Sequence, residues 1–128
     1  MSDHDDIATA LARGGIIDIT TTGRTSGQPR RIEIVVFNID GRLYISGMPG
    51  RRGWIANLAA DPRMKVHLKR GVTADLPATA RIVEDPVERR PIIEHVCRSW
   101  DRMSRFDDYL ARAPLIEVTL DDTSLLAA

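Results

Sequence analysis

Apolar and polar residues alternate along much of the chain with the two-residue period of a half-buried β-strand. The pattern predicts strands over residues 16–22, 31–39, 42–46, 64–68, 72–76, 78–83 and 115–120. The segment 31–39 has apolar residues at odd and even positions alike, which is typical of a strand covered on both sides, as in a barrel flanked by helices. Pro77 is expected to interrupt the pattern, because proline has no backbone N–H to donate.

A helical period of apolar residues marks four other segments. The predicted helices span residues 5–13, 54–60 and 86 to about 103, and residues 106–112 are expected to add a turn or a short helix. Asp85 and Pro86 form the start signature of the third helix, and Glu88 is expected to reach back to the N–H of the cap. The apolar stripe of this helix includes Trp100, which we interpret as a core residue, whereas Arg89 and Arg90 are expected on a solvated face.

The connections between the predicted strands are mostly short enough for hairpins, so the sheet is expected to be largely antiparallel. With 128 residues the chain can bury about two-thirds of its unfolded surface as one domain over residues 1–128. The predicted fold class is mainly β with α: a small β-barrel flanked by two or three helices. The tail from residue 121 to residue 128 is expected to fray.

The composition of the chain excludes some classes of binding partner. The 18 basic and 18 acidic residues cancel, so no overall field favours nucleic acid, and we expect no such partner. The single cysteine, Cys97, excludes an internal disulfide, and no apolar run approaches the length of a transmembrane helix, which together indicate a cytoplasmic protein. The three histidines, His4, His67 and His95, share no metal-ligand spacing, so no metal site is expected.

The loop of residues 47–53 combines three glycines with Arg51 and Arg52, just before the helix that begins at Trp54. Glycines let backbone N–H groups approach a ligand, a helix start adds unpaired N–H groups, and guanidinium forks suit phosphate or carboxylate. These features indicate an anion site, and the alternative is a solvated surface loop whose arginines bind nothing.

Two segments resemble a known family. The sequence RRGWIANLAADPR at residues 51–63 and the hairpin TTGRTSGQPR at residues 21–30 are similar, in order and spacing, to the deazaflavin-dependent nitroreductase and quinone reductase family. The resemblance covers about residues 15–120. It implies the split β-barrel shared by flavin-type reductases and pyridoxamine phosphate oxidases, proteins that are usually dimers with cofactor sites at or near the barrel interface.

The resemblance further implies hydride transfer from reduced coenzyme F420 to a small-molecule electron acceptor: a quinone, a nitroaromatic or an activated alkene. Backbone groups of residues 46–48 would face the deazaflavin ring, and residues 48–53 with the helix start would hold the ribityl and phosphate portions. Lys69 or Arg24 would meet the polyglutamate tail. The implied cofactor-binding set is Ser46, Gly47, Met48, Pro49, Gly50, Arg51, Arg52, Gly53, Trp54, Asn57 and Lys69. No acid–base pair is visible, so no catalytic residue is predicted.

The chain departs from the family pattern in its short loop with Arg51 and Arg52, and in Ile55, where a second aromatic residue often follows the tryptophan. These departures leave two alternatives open. One is a reductase or oxidase of the same fold that uses flavin mononucleotide (FMN). The other is a non-catalytic module that binds a cofactor or lipid.

Replacing both arginines, as Arg51→Ala with Arg52→Ala, is expected to weaken cofactor binding by several kcal/mol, because charge-assisted hydrogen bonds contribute about 1.5–3 kcal/mol each. Fluorescence titration with coenzyme F420 measures the effect. An unchanged affinity would remove the argument for an anion site at this loop.

Overall fold

The computed structural model describes residues 3–50 and 53–126 as six strands and four α-helices with two short 3₁₀ turns. The strands are β1 (Gly15–Thr22), β2 (Pro29–Ile39), β3 (Arg42–Ser46), β4 (Arg63–Leu68), β5 (Ala74–Ile82) and β6 (Leu115–Leu120). The helices are α1 (Asp3–Arg13), α2 (Gly53–Ala60), α3 (Pro86–Ser99) and α4 (Phe106–Arg112). The 3₁₀ turns are Met103–Arg105 and Thr123–Leu126.

The strands form a closed barrel in the order β1-β2-β3-β6-β5-β4, and every neighbouring pair is antiparallel. Pairing of β1 with β4, with Ile19 opposite Val66, closes the ring. Closure gives every strand two neighbours, so no strand is unpaired along the whole of one side. The predicted antiparallel barrel with helices is therefore confirmed.

Two apolar clusters hold the barrel together. The first fills its interior, where Ile19, Leu43 and Val66 are fully buried. The second lies outside β3 and β6, under α3 and α4, and includes Ile93 and Tyr109. Burying a side chain of this size contributes about 1.5–3 kcal/mol, so each cluster is a major stabilising element.

Pro77 does not interrupt the sheet, contrary to the prediction, because β5 runs through it and pairs it with Lys65. The Pro77 carbonyl accepts a hydrogen bond from the N–H of Asp121 at 3.0 Å. Its backbone therefore points toward β6, just beyond the last β5–β6 pair at Ala78, and the missing N–H costs no bond to β4.

Helix α3 starts as predicted but ends four residues early. Asp85 caps it by accepting from the N–H of Val87 at 3.1 Å. Glu88 does not reach back to the cap; it binds the Arg81 guanidinium instead. At the other end Asp101 adopts a positive φ of 55°, and the N–H of Arg102 bonds to the Cys97 carbonyl at 2.7 Å, a Schellman ending that stops the helix before residue 103.

The C-terminal segment is better anchored than the sequence suggested. The 3₁₀ turn over residues 123–126 packs against α1 and buries Leu125, while the Ser124 hydroxyl lies 3.0 Å from His4 Nε2. The expectation of a fraying tail is wrong for these residues, and residues 127–128 lie outside the described part of the chain. The segment is anchored because Leu125 is apolar and packs as a buried member of the interior cluster.

Arg89 is buried, contrary to the prediction that it lies on a solvated face. Its guanidinium donates to the backbone carbonyls of Val83, Leu110, Tyr109 and Ala113 at 2.8–3.2 Å. Burial lowers the pKa of Arg89 from its ordinary value. One side chain thereby satisfies carbonyls at the end of α4 and after β5, which fixes α3 and α4 against the barrel.

We expect Arg89→Met to lower the free energy of unfolding by about 3–4 kcal/mol, because methionine keeps the aliphatic bulk but leaves buried carbonyls without donors. Urea unfolding followed by circular dichroism measures the change. Arg90→Met is the matched control: its exposed guanidinium lies 5.4 Å from the Phe106 ring, and its loss should cost less than about 1 kcal/mol. Equal losses in the two variants would contradict the role given to Arg89.

Candidate functional site

The barrel opens along one side of β2. This strand pairs with β1 over residues 29–36 but with β3 only over residues 36–39. Among the described residues, no strand pairs with the remaining edge, residues 29–35, on the β3 side, because β3 ends at Ser46 and the chain leaves the sheet toward α2. Only Val36 and Phe37 of β2 are buried, so the prediction of a strand covered along both faces is wrong for its first half.

A groove occupies this opening and has two parts. The polar compartment, with a volume of about 540 Å³, is lined by Thr21, Gly23, Arg24, Thr25, Ser26, Arg30, Ile32, Gly53, Trp54 and Asn57. The apolar compartment, of about 400 Å³, is lined by Ile32, Glu33, Ile34, Val35, Ser46, Gly47, Met48, Trp54 and Trp100. Ile32 and Trp54 belong to both linings, so the two compartments are adjacent.

The β1–β2 hairpin forms the outer wall of the polar compartment. Gly23 and Gln28 close it through an N–H to carbonyl bond of 2.8 Å, and the Ser26 hydroxyl accepts from the N–H of Gln28 at 3.1 Å. A Cβ on Gly23 would lie 2.6 Å from the Ser26 hydroxyl and 3.2 Å from the Gln28 carbonyl oxygen. Any larger residue at position 23 would force the Ser26 hydroxyl to rotate away from the Gln28 N–H and the Gln28 carbonyl to shift, so glycine favours this tight turn.

Asn57 connects α2 to the same hairpin. This buried side chain accepts from the backbone N–H of Arg24 at 3.1 Å and donates to the Thr21 hydroxyl at 3.1 Å. The Arg24 guanidinium also lies 3.5 Å from its oxygen. Asn57 was predicted to bind cofactor; in the structure it lines the polar compartment and positions Arg24.

The polar compartment is cationic. Arg24 and Arg30 line it, no carboxylate does, and neither guanidinium pairs with an acidic side chain within residues 3–50 and 53–126. Helix α2 begins at Gly53 in the same wall, where its unpaired N–H groups add partial positive charge. Arg51 and Arg52, the predicted anion ligands, lie outside the described residues.

Arg30 was missed by the sequence interpretation, although a signal was present. It stands opposite Thr21 in the β1–β2 register, and strand alternation places it on the same face as Ile32. Thr21 and Ile32 both line the polar compartment. Alternation alone would therefore have pointed to Arg30 as a candidate.

The structure does not bring Lys69 to the groove, contrary to the prediction that it binds cofactor. Its ammonium pairs with Asp18 at 2.6 Å and Glu33 at 2.5 Å, and it lines a separate cavity beside α1. Asp18 and then Glu33 raise the pKa of Lys69, and Lys69 with Arg31 lowers the pKa of Asp18. These carboxylates already neutralise the charge that a cofactor tail would need.

The loop after β3 reaches the groove in part. Gly47 and Met48 line the apolar compartment, whereas Gly50 lines a separate cavity on the side of Arg89. A hydrogen bond fixes the Met48 side chain, because the buried Tyr109 hydroxyl donates to its sulfur at 2.7 Å. Pro49, which was also predicted to bind cofactor, lines neither compartment.

Ser46 lines the apolar compartment, but its hydroxyl is committed elsewhere. It is buried and donates to the Pro114 carbonyl at 2.7 Å. The side chain therefore fixes the end of β3 against the segment before β6. What Ser46 can offer a ligand is its backbone.

Metal-binding clusters and membrane-spanning helices are both absent from the described residues. Within residues 3–50 and 53–126, no cluster of histidine, cysteine and acidic side chains is arranged to hold a metal ion. Within the same residues, no helix has the length and apolar character needed to cross a bilayer.

The closed six-stranded antiparallel barrel, with a cationic and an apolar compartment at the unpaired stretch of β2, is a split β-barrel. The family model of the F420H(2)-dependent quinone reductases matches residues 2–120. The chain belongs to this family and is an oxidoreductase of the deazaflavin-dependent type.

Solved structures agree on the fold. A putative pyridoxamine 5'-phosphate oxidase from Listeria innocua superposes with a TM-score of 0.71 at 14% identity, over 94% of this chain and 95% of that one. An F420-H2 dependent reductase superposes with a TM-score of 0.60 at 20% identity, over 82% of this chain and 94% of that one. A structure described as a domain-swapped dimer superposes with a TM-score of 0.62 at 22% identity, over 82% of this chain and 80% of that one.

We expect Asn57→Ala to lower the free energy of unfolding by about 2–3 kcal/mol, because the Thr21 hydroxyl and the Arg24 N–H lose a buried partner. It should also weaken binding of coenzyme F420 about 5- to 20-fold, since Arg24 is no longer positioned, a change of about 1–2 kcal/mol. Urea unfolding and fluorescence titration measure the two effects.

Asn38→Ala is the matched control, because Asn38 bonds to the Leu11 carbonyl at 3.1 Å and to the Gly41 N–H at 3.0 Å, away from the groove. It should lower stability without changing affinity. If both variants changed affinity alike, the positioning role of Asn57 would be refuted.

Proposed function

We propose that the chain binds coenzyme F420 in this groove and passes a hydride from its reduced form to a small-molecule acceptor of the quinone type. The observation that carries the proposal is the pairing of a cationic compartment with an apolar one across Trp54 and Ile32. A deazaflavin cofactor has the same division, with a planar ring at one end and a phosphate and acidic tail at the other.

The donor set fits the anionic portion. Arg24 and Arg30 supply guanidinium forks without competing carboxylates in the compartment, and the α2 start at Gly53 supplies backbone N–H groups. Asn57 keeps Arg24 in place. Arg51 and Arg52 remain proposed phosphate ligands from the sequence, immediately before Gly53.

The apolar compartment fits the ring. Its aromatic and aliphatic walls suit a flat surface, and Gly47 and Met48 present backbone next to it. The edge of β2 over residues 29–35 adds N–H and carbonyl groups that no described strand pairs, and a heterocycle with polar edges can bond to such groups. Backbone donors of this kind orient a ring without introducing a titratable group.

When bound, the reduced cofactor supplies the hydride, so the residues of the chain need to bind, orient and exclude water. Among the described residues that line the apolar compartment, Glu33 alone has a titratable side chain, and its carboxylate is paired with Lys69. No side chain is therefore assigned as a catalytic acid or base, and the proton that completes acceptor reduction comes from solvent.

A second candidate is an FMN-dependent reductase or oxidase, which the likeness to a putative pyridoxamine 5'-phosphate oxidase favours at the level of fold. A non-catalytic cofactor- or lipid-binding module is the third. Parallel fluorescence titrations with coenzyme F420 and FMN separate them. Saturable micromolar binding of F420 alone supports the proposal, preference for FMN favours the second candidate, and binding of neither leaves no basis for the catalytic claim.

We also propose that the chain forms a homodimer, supported by the related fold described as a domain-swapped dimer. Size-exclusion chromatography with light scattering tests it, since the chain has a mass of 14.2 kDa and a dimer twice that. A monomer at micromolar concentration would refute it.

The double variant Arg24→Gln with Arg30→Gln is expected to weaken F420 binding about 10- to 100-fold, or about 1.4–2.8 kcal/mol, because two charged donors are lost at the polar compartment. Arg13→Gln with Arg70→Gln removes the same charge from residues outside the groove, beside α1. That control should bind F420 within a factor of two of the wild type. Equal weakening in both variants would indicate only a general electrostatic effect.

A further inference from the structure

The barrel separates at a second place, between β1 and β4. These strands pair only over residues 18–20 of β1, although β4 continues to Leu68. The same register would place Ile17 opposite Leu68, but among the described residues β4 forms no pair with residues 15–17. Backbone groups of this stretch that face β4 are therefore left without a strand partner.

A cavity of about 280 Å³, which we name the α1 cavity, occupies this gap. Ile17 and Leu68 are buried and form its apolar floor. Gly15 has a φ of 108°, and a Cβ built on it would meet no atom within 4 Å, so open space adjoins the backbone here. The full lining is Ala10, Arg13, Gly14, Gly15, Ile16, Ile17, Leu68, Lys69 and Arg70.

The α1 cavity lies far from the groove. Gly15 lines the cavity and Thr21 lines the groove, and both belong to β1. At about 3.3 Å per residue, their separation along the strand is on the order of 20 Å. Among the described residues, none belongs to both linings. A ligand in the α1 cavity therefore leaves the groove free.

The lining is cationic, and two arginines account for its net charge. Arg13, Lys69 and Arg70 line the cavity, and no described carboxylate does. The Lys69 ammonium is already paired with Asp18 and Glu33. Within residues 3–50 and 53–126, neither Arg13 nor Arg70 forms an ion pair with an acidic side chain. An anion would meet two uncompensated guanidinium groups.

The two arginines come from different elements. Arg13 lies in the last turn of α1, and its Nη2 donates to the Arg70 carbonyl at 3.4 Å. The Arg13 guanidinium thereby lies over the turn between β4 and β5, where a Cβ on Gly71 would stand 3.9 Å from it. The Arg70 side chain leaves the same turn and lines the same cavity. Like charges placed together repel each other, and a bound anion offsets that repulsion.

Two features near the cavity carry negative charge. The carbonyl end of α1 is one, but the Ala10 carbonyl accepts from the Gly14 N–H at 3.0 Å and the Leu11 carbonyl accepts from the Asn38 amide at 3.1 Å. Asp6 is the other, and it lines a neighbouring cavity of about 240 Å³ that shares both arginines. One carboxylate beside two guanidinium groups leaves the region cationic.

We propose that the α1 cavity is a second ligand site, distinct from the groove, for a compact phosphate or carboxylate carried on a small apolar body. The guanidinium forks of Arg13 and Arg70 bind the oxyanion, and the floor of Ile17 and Leu68 contacts the body. A volume of about 280 Å³, against about 540 Å³ for the polar compartment, limits the ligand to about one ring. The site is independent of the proposed function of the groove.

Two-dimensional NMR of the isotope-labelled chain locates the ligand. Phenyl phosphate and benzoate present the two oxyanions on one ring, and benzylamine is their cationic analogue. At least one of the oxyanions should shift the amide signals of Gly14 and Gly15 saturably, with a dissociation constant below about 1 mM, and benzylamine should not. The stronger of the two oxyanions identifies the preferred group. Shifts confined to Gly23 and Gly53, which line the groove, would overturn the proposal, as would no shift at all.

Charge variants test the role of the arginines. Arg13→Gln with Arg70→Gln should weaken binding of the preferred oxyanion about 10- to 100-fold, because two charge-assisted donors are lost. Arg90→Gln with Arg102→Gln is the matched control, since it removes equal charge from exposed arginines that contact an aromatic ring and backbone carbonyls elsewhere. The control should stay within a factor of about two of the wild type. Equal weakening by both pairs would overturn the site.

A filling variant tests the cavity itself. Ile16→Trp keeps both arginines but occupies the space beside them, so the oxyanion should no longer shift Gly14 and Gly15. Unchanged binding would show that the cavity takes no part and would overturn the proposal. Circular dichroism verifies folding, and Ile16→Phe replaces the tryptophan variant if that variant does not fold. Titration of the same variant with coenzyme F420 tests the groove separately, and its result does not alter this one.

Discussion

The mismatch in length between two neighbouring strands governs the rest of this structure. Strand β2 has 11 residues and β3 has five, so the β3 ladder leaves β2 after four residue pairs. The chain then leaves the sheet, and helix α2 packs against β1 and β5. The groove exists because backbone groups that a full-length β3 would have paired are left at its wall.

A few polar side chains keep that opening in shape. Asn57 ties α2 to the β1–β2 hairpin, Ser46 ties the end of β3 to the segment before β6, and Arg89 ties α3 to the end of α4. Each is buried, and each bonds to at least one group far away in sequence. No buried side-chain nitrogen or oxygen lacks a partner within the described residues. Polar groups therefore position the site, while the apolar clusters supply most of the stability.

Local patterns were enough to predict the barrel, since alternation and turn signals mark every strand within about two residues, Pro77 aside. The family motif led to the prediction of a site at the loop between β3 and α2, and Gly47 and Met48 of that loop line the apolar compartment. Long-range placement was not predictable. Arg89 and Arg90 are adjacent and chemically identical, and only the carbonyls left over by α4 and β5 make one buried and the other exposed. The sequence interpretation assigned Lys69 to the cofactor, because nothing in the sequence shows that the carboxylates of Asp18 in β1 and Glu33 in β2 lie beside its ammonium group.

Trp54 has a further consequence, because it forms part of the wall of both compartments. In the proposed function one cofactor spans both compartments, so its ring portion and its phosphate portion would meet the same indole. A substitution at position 54 would therefore act on both halves of the cofactor at once.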